Sequence, residues 1–68
     1  MIRESEEYKQ MTPYHACECA EGFCSGEDAT ENEQLAAWQY IRDLELWRNL
    51  QGFYGRNVHA LLEAGVID

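Results

Sequence analysis

The stretch Thr30-Glu31-Asn32-Glu33-Gln34-Leu35-Ala36-Ala37-Trp38-Gln39-Tyr40-Ile41-Arg42-Asp43 decides the fold. Its opening fits a capping box: the Thr30 hydroxyl can accept from the Glu33 backbone N–H, while the Glu33 carboxylate reaches back to the cap. Glu31 and Glu33 also suit the positive end of a helix dipole. Leu35, Trp38, Ile41 and then Leu44 or Glu45 recur at helical spacing, with Ala37 beside them. Gln34, Gln39, Arg42 and Asp43 fall largely elsewhere on the wheel. The pattern predicts a helix over about 31–43.

Downstream, Leu46, Trp47 and Leu50 again carry helical spacing. This segment either extends the first helix or forms a second short one over about 45–51, after a bend. Gly52 ends it. In Gly52-Phe53-Tyr54-Gly55 the two glycines allow a turn, with the two aromatics free to fold back on the core. A last helix is predicted over about 56–64, with Val58, Leu61 and Leu62 as its apolar stripe. Gly65 suits a left-handed stop, with Val66 packing back on the final turn. The expected fold class is all-α: a two- or three-helix mini-bundle around Trp38, Ile41, Leu46, Trp47, Leu50, Phe53, Leu61 and Leu62.

Upstream, residues 1–12 are polar, without apolar periodicity, and read as a mobile acidic arm or a short frayed helix. Pro13 disfavours helix at Thr12 and closes that segment. Residues 13–29 hold all three cysteines with Gly22 and Gly26, and read as a Cys/Gly-rich loop before a helical core over 30–68.

Within the core, Ala37-Trp38-Gln39-Tyr40-Ile41, Leu50-Gln51-Gly52-Phe53-Tyr54-Gly55-Arg56 and Leu61-Leu62-Glu63-Ala64-Gly65-Val66-Ile67 form a recognisable series. It resembles a family of very small phage- and prophage-encoded proteins. Their pattern is a short helix, an aspartate, a Leu-Gln-Gly-aromatic-aromatic-Gly-Arg turn, and a helix ending in Ala-Gly and two aliphatics. The resemblance covers about residues 33–67, and the turn over 50–56 is its most specific part. Members often carry a threonine-glycine break where this chain has Leu44-Glu45, and Trp47 sits one position early. The resemblance implies a phage origin and a helical fold; it carries no mechanism.

Charge divides the chain. With 68 residues and a formal charge of −8, the chain has nine acids against Arg3 and Lys9 in residues 1–34. Residues 35–68 hold four acids against three arginines. No basic patch exists to neutralise phosphates, which argues against direct nucleic-acid binding. An acidic surface favours basic partners, although acids also serve solubility alone. A chain this short rarely builds the walls of a catalytic cleft, so the expectation is not an enzyme. No run is long and apolar enough for a membrane span and no signal-peptide core opens the chain, so a cytoplasmic location in a host cell is expected, with thiols mostly reduced.

His15, Cys17, Cys19 and Cys24 form an H-x-C-x-C-x4-C cluster. Four nitrogen and sulfur donors are what one tetrahedral structural zinc needs, and a metal would stabilise so short a chain. Glu18, Glu21, Glu27 and Asp28 could supply or replace a ligand, and His59 could add one, although a surface role suits it better. The spacing is tighter than paired C-x2-C knuckles, and free thiols in an ordered loop are the commoner outcome. A Cys-His nucleophile lacks an identifiable orienting partner. For partner binding the candidates are Glu18, Glu21, Glu27, Asp28 and Glu31, together with Phe53, Tyr54 and Arg56, because aromatic and arginine side chains dominate hot spots. The leading expectation is a phage-type accessory protein that binds a host protein, such as a defence or nucleic-acid-processing system, through negative charge. A zinc-stabilised interaction module and a homodimeric adaptor are the alternatives.

Overall fold

The computed structural model describes residues 2–24 and 27–68, with the side chains of Phe23, Cys24 and Glu27 outside that description. The chain is a small all-α fold. A 3₁₀ turn (Ile2–Glu4) leads into α1 (Glu6–Lys9), α2 (Pro13–Ala20), the short antiparallel pair β1 (Phe23–Cys24) and β2 (Glu27–Asp28), and α3 (Glu31–Asp43). A second 3₁₀ turn (Leu46–Asn49) precedes α4 (Gly52–Glu63). In the strand pair, Phe23 stands opposite Asp28 and Cys24 opposite Glu27.

The α3 helix begins as its sequence dictates. Thr30 Oγ1 accepts from the Glu33 N–H at 3.1 Å, and Glu33 Oε1 accepts from the Thr30 N–H at 2.8 Å, closing the box. Ala36, Ala37, Trp38, Gln39 and Ile41 are buried. The helix stops at Leu44, and Glu45 turns left-handed with φ 53° before the next 3₁₀ turn. The bend near residue 44 is therefore real, and the second predicted helix is a single 3₁₀ turn.

Several sequence-based expectations differ from the structure. Residues 13–20 are helix α2 rather than loop. Thr12 is an N-cap whose hydroxyl accepts from the His15 N–H at 3.1 Å, and Pro13 occupies the first turn, where its missing N–H costs nothing. The Thr-Pro pair thus starts a helix as well as ending the previous one. The α4 helix begins at Gly52, so Phe53 to Gly55 form its first turn rather than a loop. At Gly55 the Trp47 ring packs against α4: a Cβ there would lie 3.4 Å from its Cε3, an ordinary van der Waals contact.

The N-terminal arm is docked on α3 rather than mobile. Asp43 organises this contact. Its two carboxylate oxygens accept from Arg3 Nε and Nη2, each at 2.7 Å, from the Tyr8 hydroxyl at 2.7 Å and from Gln39 Nε2 at 3.0 Å. Arg3 lowers the Asp43 pKa from 3.8 to about 2, with Tyr8 and Gln39 adding to it against the cost of burial. Burial first, then the bond to Asp43, push the Tyr8 hydroxyl up to about 12. Gln39, read from the sequence as polar-face, is 1% exposed. It is satisfied at both ends, because its Oε1 accepts the Asp68 N–H at 2.9 Å.

The core joins both halves of the chain. Met11, Ala16 and Cys19 from the front pack with Ala36, Ala37, Trp38, Ile41, Tyr54, Val58 and Ile67. The α2–α3 contact is the principal one, and its small side chains let the two helices lie close. Leu46, Trp47, Leu50, Leu61 and Leu62 pack half-buried around this centre. At the end of α4, Gly65 has φ 74°, and the N–H groups of Gly65 and Val66 return to Leu62 and Leu61, both at 3.1 Å. That is the Schellman closure expected, but Ile67 rather than Val66 enters the core.

Candidate partner-binding groove

Tyr14, Cys17, Glu18 and Glu21 recur at three- and four-residue intervals and so share one face of α2. The start of α4 lies against the end of that face. Tyr54 is 5% exposed, and its hydroxyl donates to the Glu21 carboxylate across 33 residues of sequence. The Cys17 thiol is within hydrogen-bonding reach of the same hydroxyl. Between the two helices is an open groove of about 460 Å³, lined in part by Glu21, Cys17 and Tyr54. The connection through Leu50 and Gln51 and the Phe53 side chain complete its lining.

Electrostatics define what each group can do. Burial raises the Tyr54 hydroxyl above its ordinary pKa, and its bond to Glu21 adds to the effect, so it stays a proton donor. Burial also raises the Cys17 thiol, against a smaller lowering from Tyr54. A thiol held in its neutral form is a poor nucleophile. One Glu21 oxygen is held by Tyr54, and no hydrogen bond engages the other among the described residues. Phe53 is 37% exposed; its ring stands edge-on to Trp38 at 6.1 Å and to Tyr54 at 4.7 Å. The helical first turn of α4 separates the two aromatics by about 100°. Tyr54 therefore enters the core and Phe53 the surface, which divides the two roles the sequence left open.

The other candidates fall into distinct places. His15 Nε2 lies 3.7 Å from Cys19 Sγ, and His15 Nδ1 lies 3.7 Å from Glu18 Oε1. Cys17, two positions on, points to the opposite flank and toward Tyr54. Cys19 is fully buried and disulfide-bonded, so its sulfur is no thiolate donor in this state. The expectation of reduced thiols does not anticipate that bond. As folded, α2 does not converge His15, Cys17 and Cys19 on one point, and among the described residues no three histidine, cysteine or acidic side chains are grouped to hold a metal. The side chains of Cys24 and Glu27, both candidates, lie outside the described residues, as does Gly26. Asp28, Glu31 and Arg56 are exposed and make no ion pair among the described residues. His59 is exposed, with its ring edge-on to Trp47 at 5.7 Å.

Sequence reasoning missed a second, smaller groove of about 240 Å³ bounded by Arg42, Trp47, Val58, His59 and Leu62. Arg48 stacks over the Trp47 ring at 5.2 Å, and the buried Trp47 indole N–H has no acceptor among the described residues. Val58, His59 and Leu62 come from one helix, but no local motif links them to Arg42 and Trp47, which only the fold brings beside them.

No helix among the described residues is long and apolar enough to cross a membrane. The chain matches no family model, and neither a curated protein nor a solved structure matches it at a significant level.

Proposed function

We propose that this chain is a small, non-enzymatic acidic binding protein of phage type that engages a basic surface on a host macromolecule. One observation carries the reading: the bond between Glu21 and Tyr54 merges two candidate surfaces, the acidic front half and the aromatic segment of α4. An exposed aromatic beside carboxylates that keep acceptor capacity is the composition of a recognition surface rather than of a merely soluble one. The charge supports it too. Of thirteen acids, Glu6, Asp28, Glu31 and Glu63 are exposed and make no ion pair among the described residues. Arg3 is committed to Asp43 and Asp68, and Arg48 to Glu45, so the chain's surplus of acids dominates its field.

The phage-type part rests on the resemblance and gains one supporting detail. Glu45 adopts the left-handed conformation that favours glycine, at the position where the resembled family carries glycine. A target among defence or nucleic-acid-processing proteins fits a surface that presents phosphate-like negative charge. The test is capture from bacterial host lysate on the immobilised full chain, eluted by a rising salt gradient and identified by mass spectrometry. Basic proteins released at moderate ionic strength support the reading; retention unchanged in molar salt overturns its electrostatic basis.

A further inference from the structure

Resting on that reading, we infer that the groove between α2 and the start of α4 is a receptor for a single arginine side chain of the basic partner. The lining of the groove offers what a guanidinium on an aliphatic stem requires. Leu50 and the Phe53 ring line it with apolar surface for the stem. Phe53 is exposed enough to stack on a planar cation. Glu21 is the one charged group in the lining, and it is already oriented, because the Tyr54 hydroxyl fixes one oxygen and leaves the other to accept. Asn49 and Gln51 add amide oxygens for the remaining N–H groups of the fork. Lysine has neither the plane to stack nor the fork to share between Glu21 and the amides.

Two features beside the groove oppose a cation: the end of α4, and the Arg56 guanidinium, whose Nη1 would lie 3.2 Å from a Cβ at Gly52. The first turn of α4 lies in the groove wall, and Gln51 caps that helix without a side-chain hydrogen bond. The helix end acts as about half a positive charge. Glu21 carries a full negative charge in the groove and the whole chain is at −8, so the balance remains attractive. An anionic ligand would meet Glu21 first.

The experiment uses the full chain with two probes: an alternating glycine-lysine heptapeptide, and the same peptide with its central lysine replaced by arginine. Both are titrated by NMR amide shifts at low salt. The arginine peptide is expected to bind about tenfold more tightly, the gain of one stacked, charge-assisted contact, with its largest shifts at Glu21, Gln51, Phe53 and Tyr54. E21Q, which keeps an acceptor for Tyr54, should erase that preference. E63Q removes the same charge from the other end of α4, about 15 Å away along the helix, and should weaken both peptides equally while keeping the preference. F53A changes an exposed ring and should also erase the preference; circular dichroism shows that each variant is folded.

Equal affinity for the two peptides, or a preference that survives both E21Q and F53A, overturns the receptor while leaving general acidic binding intact. Binding of neither peptide overturns both. Saturable binding of free phosphate at the same amides would show that the helix end prevails over Glu21, and overturns the assignment as well.

Discussion

Replacing Asp43 by asparagine removes one charge at the point where the N-terminal arm, α3 and the C-terminal segment meet. The carboxylate sits at a pKa of about 2 against an ordinary 3.8, so folding favours its charged form. At about 1.36 kcal/mol per pKa unit, the ceiling on that contribution is roughly 2.4 kcal/mol. The Arg3 side chain is 45% exposed, so solvent screening reduces this to about 1 kcal/mol. Asparagine also offers one acceptor oxygen in place of two, leaving Tyr8, Gln39 and Arg3 to compete for it. The summed expectation for D43N is a loss of about 1–2 kcal/mol. In a chain of this size that lowers Tm by roughly 5–12 °C. Urea unfolding, followed by circular dichroism and by tryptophan fluorescence, measures it at neutral pH.

The acid limb sharpens the same prediction. Because the folded pKa is depressed, the Asp43 contribution is fully present above 3.8 and is lost as pH falls through about 2. The wild-type protein should shed that increment over this window, and D43N should lack it. Tyr8 works in the opposite sense: its folded pKa is raised to about 12, so its contribution holds below 10 and fades as pH rises through about 12. If D43N unfolds within about 0.3 kcal/mol of wild type with an unchanged acid limb, the arm is not docked through Asp43 and the packing argument fails.

Glu45→Gly should stabilise the chain by about 0.5 kcal/mol. Relief of a left-handed non-glycine residue outweighs the added freedom of the unfolded chain and the loss of an exposed pair with Arg48. A urea midpoint that falls instead would refute the strain assigned to the bend. Reduction of the buried Cys19 disulfide should cost about 2 kcal/mol, seen as a drop in Tm of roughly 10 °C on adding a phosphine reductant. An unchanged Tm would mean that the α2–α3 packing holds without it.

Much of the fold was legible because local chemistry and tertiary packing agree. The Thr30 box, the period through Ile41 and the Gly65 stop are each encoded within a few residues, and each stands as read. The misreadings have a common physical cause. The buried positions of α2 are Ala16 and Cys19, a stripe too weak to register as periodicity, yet small side chains there are what let it lie close to α3. The capping signal at Thr12-Pro13 was present and was outweighed by proline's reputation as a breaker. The arm over residues 2–9 has no buried stripe of its own; Arg3 and Tyr8 reach Asp43 across 40 and 35 residues, a pairing that no local window contains. Gln39 looks solvent-facing for the same reason, since its partners are Asp43 and the backbone of Asp68.

The groove was half legible. Glu21, Phe53 and Tyr54 were each singled out by residue type, but their meeting depends on α2 being a helix that ends beside the start of α4. Phe53 and Tyr54 in one turn of helix must point apart, which a loop would not have required. The short spacing of Cys17 and Cys19 suggests one ligand set. On a helix, that same spacing places them on opposite flanks.

The central claim is that this chain binds through charge to a basic partner, and the salt dependence of binding to the glycine-lysine heptapeptide tests it most directly. Fluorescence anisotropy of the labelled peptide with the full chain, from roughly 25 to 500 mM sodium chloride, spans the range over which exposed charges become screened. The account expects measurable binding at the lowest salt and a Kd that weakens by more than about tenfold across the series. No binding at the lowest salt, or a Kd that stays constant to the highest, would contradict it.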